Sequence, residues 1–105
     1  MSGPEARIQQ DIQKKLTAMR VFVFKVHGSA LMTVGLPDLI CCVDGVYLGL
    51  EVKTPETRNN VSPKQAYIHD QIRRAGGECH VVWSTHQAVR IIERMRADAQ
   101  SSTLP

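Results

Sequence analysis

The chain has 105 residues, enough for one compact domain and not comfortably for two. Its 43% hydrophobic and 22% charged residues are ordinary for a globular protein with a real core, and the net charge of +3 leans only mildly towards a polyanionic partner. Met1 to Glu5 lacks an apolar signal core, and the longest apolar run, Val21 to Val26, is interrupted by Lys25. Neither a cleaved leader nor a membrane span is therefore expected, and the chain reads as cytosolic.

Pro4 to Arg20 is predicted as a helix, with Pro4 suited to its first turn and Ile8, Ile12, Leu16 and Met19 recurring on one face. Val21 to His27 is rich in β-branched and aromatic residues and is predicted as a strand. Gly28 to Pro37 reads as a loop, Asp38 to Val43 as a second strand and Val46 to Thr54 as a third. Asp44-Gly45 between the last two is a two-residue hairpin signal. Pro55 to Val61 is polar and expected to be a mobile loop. Ser62-Pro63-Lys64-Gln65 announces a helix: an N-cap serine, a first-turn proline and a glutamine closing a capping box. That helix should reach about Ala75, where Gly76-Gly77 stops it. Glu78 to Trp83 is expected as a fourth strand. Ser84 or Thr85 should cap a last helix with Ala88, Val89, Ile92 and Met95 inward, and residues 97–105 should fray. The order α-β-β-β-α-β-α predicts one α/β domain: a mixed sheet, made of an antiparallel meander and a strand returning after a helix, flanked by helices.

The three cysteines have no framework spacing and suit reduced thiols. Cys41-Cys42 and Cys79-His80 fall in predicted strands, where adjacent side chains point to opposite faces and cannot share one zinc ion.

Chemistry concentrates elsewhere. Asp38 opens the second strand, and Glu51 and Lys53, two apart on the third, emerge on one face. The Asp44-Gly45 hairpin makes these strands antiparallel neighbours, so Asp38 should lie opposite Glu51 to Lys53. Charge at the end of an otherwise apolar strand costs free energy unless it is paired or metal-bound. Two carboxylates and a backbone carbonyl, naturally that of Val52, would suit Mg²⁺, with Mn²⁺ able to substitute. Lys53 could orient or deprotonate an attacking water, or offset charge developing on a phosphate. Glu-x-Lys alone or Pro-Asp alone means little; the combination around a hairpin is far rarer.

Pro37-Asp38 followed by Glu51-Val52-Lys53 resembles the signature of the PD-(D/E)xK nuclease superfamily. More narrowly, Gly35-Leu36-Pro37-Asp38-Leu39, Leu50-Glu51-Val52-Lys53 and Ser62-Pro63-Lys64-Gln65 resemble the VRR-NUC family, and Glu5-x-x-Ile8-Gln9 is similar to that family's first helix. That family includes stand-alone phage and bacterial proteins. The resemblance implies a restriction-endonuclease-like fold and a divalent-metal endonuclease for structured DNA, akin to Holliday-junction resolvases and acting in DNA repair or recombination. It implies Asp38 and Glu51 as metal ligands and Lys53 serving the water. It also brings Gln65 to the active site and Glu5 towards the metal, through water or a second ion. Gln65 is equally explained as a helix cap, and Glu5 as an acidic helix start.

Arg58 and Lys64 flank the site in sequence and are the best-placed phosphate contacts, although any single basic residue is commonly just solvated. The four histidines show no ligand spacing and receive no role. Symmetric cutting of a four-way junction needs two active sites, so a homodimer is expected, paired through the last helix (Val89, Ile92, Met95) or near Trp83. The alternatives are a flap or nicking endonuclease within a larger machine, and a DNA-binding module with a degenerate nuclease fold. The intact Asp38, Glu51 and Lys53 argue against the last.

Overall fold

The computed structural model describes residues 3–28 and 33–102. Parts of the predicted 28–37 loop and the last residues of the predicted tail, 103–105, lie outside the described residues. Seven elements follow in order: α1 (Pro4–Ala18), β1 (Phe22–Lys25), β2 (Leu39–Val43), β3 (Val46–Val52), α2 (Pro63–Arg74), β4 (Glu78–Val82) and α3 (Thr85–Ser102). This is the expected order. The strands form one mixed sheet, β1-β2-β3-β4, antiparallel through the first three and parallel between β3 and β4.

The connections follow from local chemistry. Asp44 (φ 50°) and Gly45 (φ 83°) both take positive φ, the conformation that a twisted two-residue hairpin requires. α1 ends two residues before the sequence suggests, because Arg20 turns left-handed (φ 63°) and the Val21 N–H reaches back to the Leu16 carbonyl at 3.0 Å. Gly76 (φ 96°) stops α2 in the same way, with the Gly77 N–H donating to the Ile72 carbonyl at 3.0 Å.

Alternation divides the sheet into two unlike faces. Leu39, Cys41, Val43, Leu48, Leu50, Val52 and Val82 form one face, packed against Ile12 and Leu16 of α1 and Ala88, Ile92 and Met95 of α3. Arg96 of α3 donates to the Met19 carbonyl at 2.7 Å and ties these two helices together. The opposite face carries Glu51 and is covered over β3 and β4 by α2. Its β1–β2 half is uncovered: Phe22 is 66% exposed, its ring 5.9 Å from that of Phe24 in a T-shaped pair, and Cys42 and Tyr47 are exposed beside them.

Two expectations about the last helix need correction. The last helix does not fray at residue 97 but continues to Ser102, helped by an Arg94–Asp98 pair at 3.1 Å across one turn. Ile92 (0% exposed) and Met95 belong to the core and are spent on packing, whereas Val89, expected to face inward with them, is only half-buried and lies outside the core cluster. The polar loop after β3 is pinned where it starts: the Thr54 N–H donates to Thr57 Oγ1 at 2.9 Å, and the Thr57 N–H returns to the Thr54 carbonyl at 3.1 Å.

Gly49, in the middle of β3, has a packing reason. A Cβ there would stand 2.6 Å from Pro37 Cγ and 3.3 Å from Cys79 Sγ, so the missing side chain makes the seat for Pro37. Gly49→Ala should therefore cost about 1–3 kcal/mol by overpacking. Urea denaturation measures it, and a variant as stable as the parent would show that Pro37 shifts freely.

Candidate active site

Asp38 immediately precedes β2, and the β2–β3 register (Leu39 opposite Leu50) sets it across from Glu51. Its place is fixed on both sides. The Val26 N–H donates to the Asp38 carbonyl at 2.8 Å, while Asp38 Oδ2 accepts the Val52 N–H at 2.8 Å. The N–H and C=O of one strand residue point to the same side, so the Val52 carbonyl turns towards Asp38 as well. Gly35 locks the approaching chain. With φ 95°, its Cβ position is only 2.6 Å from the Lys64 carbonyl oxygen, so the Gly-Leu-Pro segment rests against the first turn of α2.

Glu51 is 2% exposed on the α2 side of a strand that is buried on both faces. Lys53, 9% exposed, emerges on the same side with Nζ 3.5 Å from Glu51 Oε2. Its own backbone N–H extends the parallel pairing by donating to the Val82 carbonyl at 2.9 Å. Gln65 Nε2 donates to the same Glu51 oxygen at 3.1 Å. The cap and the site contact coexist, because Gln65 Oε1 accepts the Ser62 N–H at 3.0 Å while Ser62 Oγ accepts the Gln65 N–H at 3.1 Å. Burial, reinforced by the nearby Asp38 charge and opposed by Lys53, pushes the Glu51 carboxyl up to about 8.

No family model and no curated protein matches the chain. Among solved structures, a chain described as a VRR_NUC domain superposes with a TM-score of 0.70 and 29% identity, over 88% of this chain and 97% of that one. This likeness in fold and sequence supports the resemblance to the VRR-NUC family that the motifs carry. The match extends over most of both chains, and the expected fold class stands.

The other expected residues lie at different distances from Asp38 and Glu51. Glu5 sits half-buried in the first turn of α1, one turn before the buried Gln9, and no hydrogen bond or ion pair joins it to Asp38 or Glu51 among the described residues. Lys64 is exposed on the first turn of α2. The Arg58 guanidinium donates to the Pro55 carbonyl and stands 5.9 Å from the centroid of the Trp83 ring. His69 was given no role by sequence reasoning, yet it is buried with Nε2 3.9 Å from Glu51 Oε1. Burial first, then the Arg73 and Lys53 charges, hold its imidazole below the ordinary value. The signal that could have found it is its position four residues after Gln65, on the same side of α2.

The donor set fits a hard divalent cation. Glu51 Oε1 is buried and makes no hydrogen bond of normal length among the described residues, and the proton that burial and the nearby Asp38 carboxylate hold on Glu51 marks a place where a cation could bind instead. No group of three or more His, Cys, Asp or Glu gathers among the described residues, so protein ligation would rest on Asp38, Glu51 and the Val52 carbonyl. Mg²⁺ is commonly held by so few protein ligands, keeping water and substrate oxygens.

The raised Glu51 pKa has a stability consequence in the metal-free protein. Between its ordinary 4.5 and about 8, the folded state holds a proton that the unfolded chain releases, so stability falls as pH rises through that window. His69 contributes with the opposite sign, since a lowered pKa favours the folded state as pH rises. Glu51→Gln removes the first contribution. Its urea midpoint should decline less than that of the parent as the pH is raised, and Mg²⁺ should restore the parent near pH 8 but not the variant. Parallel pH profiles for the two proteins would refute the assignment.

Proposed function

We propose that this VRR-NUC-like domain is a Mg²⁺-dependent endonuclease that hydrolyses phosphodiester bonds in DNA, acting on branched substrates such as four-way junctions. The observation that carries the reading is the buried Glu51 carboxylate, one oxygen unpartnered, directly across from Asp38. Burying two carboxylates together is costly, and a cation binding both offsets that cost. Asp38, Glu51 and the Val52 carbonyl would hold the ion, with Glu5 contributing from α1 through water. Mn²⁺ would substitute. Bound there, such an ion supplies Lewis acidity at a phosphoryl oxygen.

The chain's own residues do the rest. Asp38 is oriented by the Val52 N–H and Glu51 by Gln65, so both carboxylates are set before substrate arrives. Lys53, held beside Glu51, orients the attacking water, takes its proton, or offsets charge on the phosphate as it develops. Arg58 and Lys64, both exposed, contact the DNA backbone.

Asp38→Asn keeps an oxygen for the Val52 N–H, and Glu51→Gln keeps the side-chain shape; both should abolish cleavage and Mn²⁺ binding in calorimetry while remaining folded. Lys53→Met should still bind Mn²⁺ yet cleave at least a hundredfold more slowly, in line with about 10²–10⁴ for general acid–base assistance. Full activity in Asp38→Asn or Glu51→Gln would end the assignment. A labelled panel of four-way junctions, flaps, nicked duplex and linear duplex decides the substrate. Preference for flaps or nicks would replace the junction reading, and DNA binding without cleavage would indicate a binding module.

Paired cuts across a junction require two sites, and we propose a homodimer to supply them. The uncovered Phe22–Phe24 pair is apolar surface of the kind that a second copy buries. Light scattering at micromolar protein should give twice the monomer mass, reduced in Phe22→Ser/Phe24→Ser. A monomer that still makes symmetric paired cuts would contradict this.

A further inference from the structure

The two oxygens of Glu51 are treated differently. Oε2 accepts from Gln65 at 3.1 Å and lies 3.5 Å from Lys53 Nζ. Oε1 is buried without a hydrogen-bond partner among the described residues, and so is His69 Nε2, which stands 3.9 Å from it. Unpaired buried polar atoms are costly and rare, and here two of them face each other with complementary chemistry. A neutral imidazole carries one N–H, and a carboxylate oxygen has a lone pair to receive it. The separation exceeds a hydrogen bond, but contacts in active sites are often long before substrate and ions draw them together. His69 is also the buried residue of α2, two per cent exposed, where a helix of this kind ordinarily places an apolar side chain. Residues 65 and 69 are one turn apart, so a single helix face addresses both oxygens of one carboxylate.

We infer that His69 is a positioning residue for Glu51: its Nε2–H holds Oε1 as Gln65 holds Oε2, so that α2 fixes the rotation of the carboxylate and directs its remaining lone pair at the cation. This rests on the reading of Glu51 as a cation ligand. A histidine that merely fills space beneath the helix would be replaceable by any side chain of similar volume. A positioning histidine is replaceable only by another donor.

Calorimetry with Mn²⁺ on the full chain separates these roles. His69→Leu keeps volume without a donor, and His69→Gln restores one. His69→Leu should bind Mn²⁺ roughly 10–100-fold more weakly, as removal of a ligand's hydrogen-bond partner typically does. It should lower kcat on a four-way junction with little change in KM, and His69→Gln should recover most of both losses. Wild-type Mn²⁺ affinity in His69→Leu overturns the inference, as does equal impairment of the two variants at equal melting temperature. Should His69→Leu not fold, ¹⁵N-histidine NMR of the parent asks the same question. The His69 Nε2 resonance must move when Mg²⁺ is added and stay still in Glu51→Gln; an unmoved resonance in the parent overturns the inference. Glu51→Gln also tells the two readings apart. If it retains Mn²⁺ affinity, the metal reading of Glu51 falls and His69 with it. If it loses affinity while His69→Leu does not, the role of His69 alone is wrong.

Discussion

A carboxylate buried in the centre of a small sheet is the constraint around which this domain is arranged. Glu51 stands on an inner strand, between β2 and β4 and beneath α2, where water cannot solvate it. Polar groups accordingly gather around it: the Gln65 amide, the Lys53 ammonium, the His69 imidazole and the Asp38 carboxylate across the strands. That explains an oddity of α2. It lies over a sheet, yet the residue it buries is a histidine, because the first turns of the helix face a charge and not an apolar layer.

The two faces of the sheet consequently do different work. The face under α1 and α3 is packed with aliphatic side chains and supplies the stability of the fold. The α2 face carries the acidic and basic groups and leaves its β1–β2 half open. With β3 belonging to both, its residues alternate strictly between purposes: Leu48, Leu50 and Val52 serve the core, while Gly49 seats Pro37 and Glu51 faces α2. A one-residue slip of β3 would exchange these roles, so the hairpin turn at Asp44-Gly45 protects the chemistry as well as the fold.

Much of this was legible because it is encoded over short distances. The hairpin turn, the capping box at Ser62 and the stop at Gly76 are local conformational demands, and the juxtaposition of Asp38 with Glu51 follows from the hairpin alone. What escaped depends on contacts between distant segments. Arg96 reaching the Met19 carbonyl joins residues 77 apart, with no periodic signal to announce it. Ile92 and Met95 look the same in sequence whether a helix face packs on its own sheet or on a partner, and the fold assigns them to the former. His69 was passed over for a related reason, since its spacing from Gln65 is the one signal it carries. A lone histidine has no ligand spacing, and its proximity to Glu51 exists only once α2 lies over β3.

The double duty of Gln65 bears on which substitutions this position can accept. A capping box admits glutamate or glutamine, since either can present an oxygen to the serine N–H. Here the opposite end of the amide must also donate to Glu51, and a glutamate would instead bring a third negative charge to a site already holding two. An asparagine is too short to span both partners at once. The amide cannot flip either, since reversing it would turn an N–H towards the Ser62 N–H and an oxygen towards the carboxylate. A helix cap that elsewhere tolerates exchange is thereby narrowed to a single residue type. One side chain thereby closes the first turn of α2 and turns the Glu51 carboxylate, so the helix start and the acidic centre share a single orienting group.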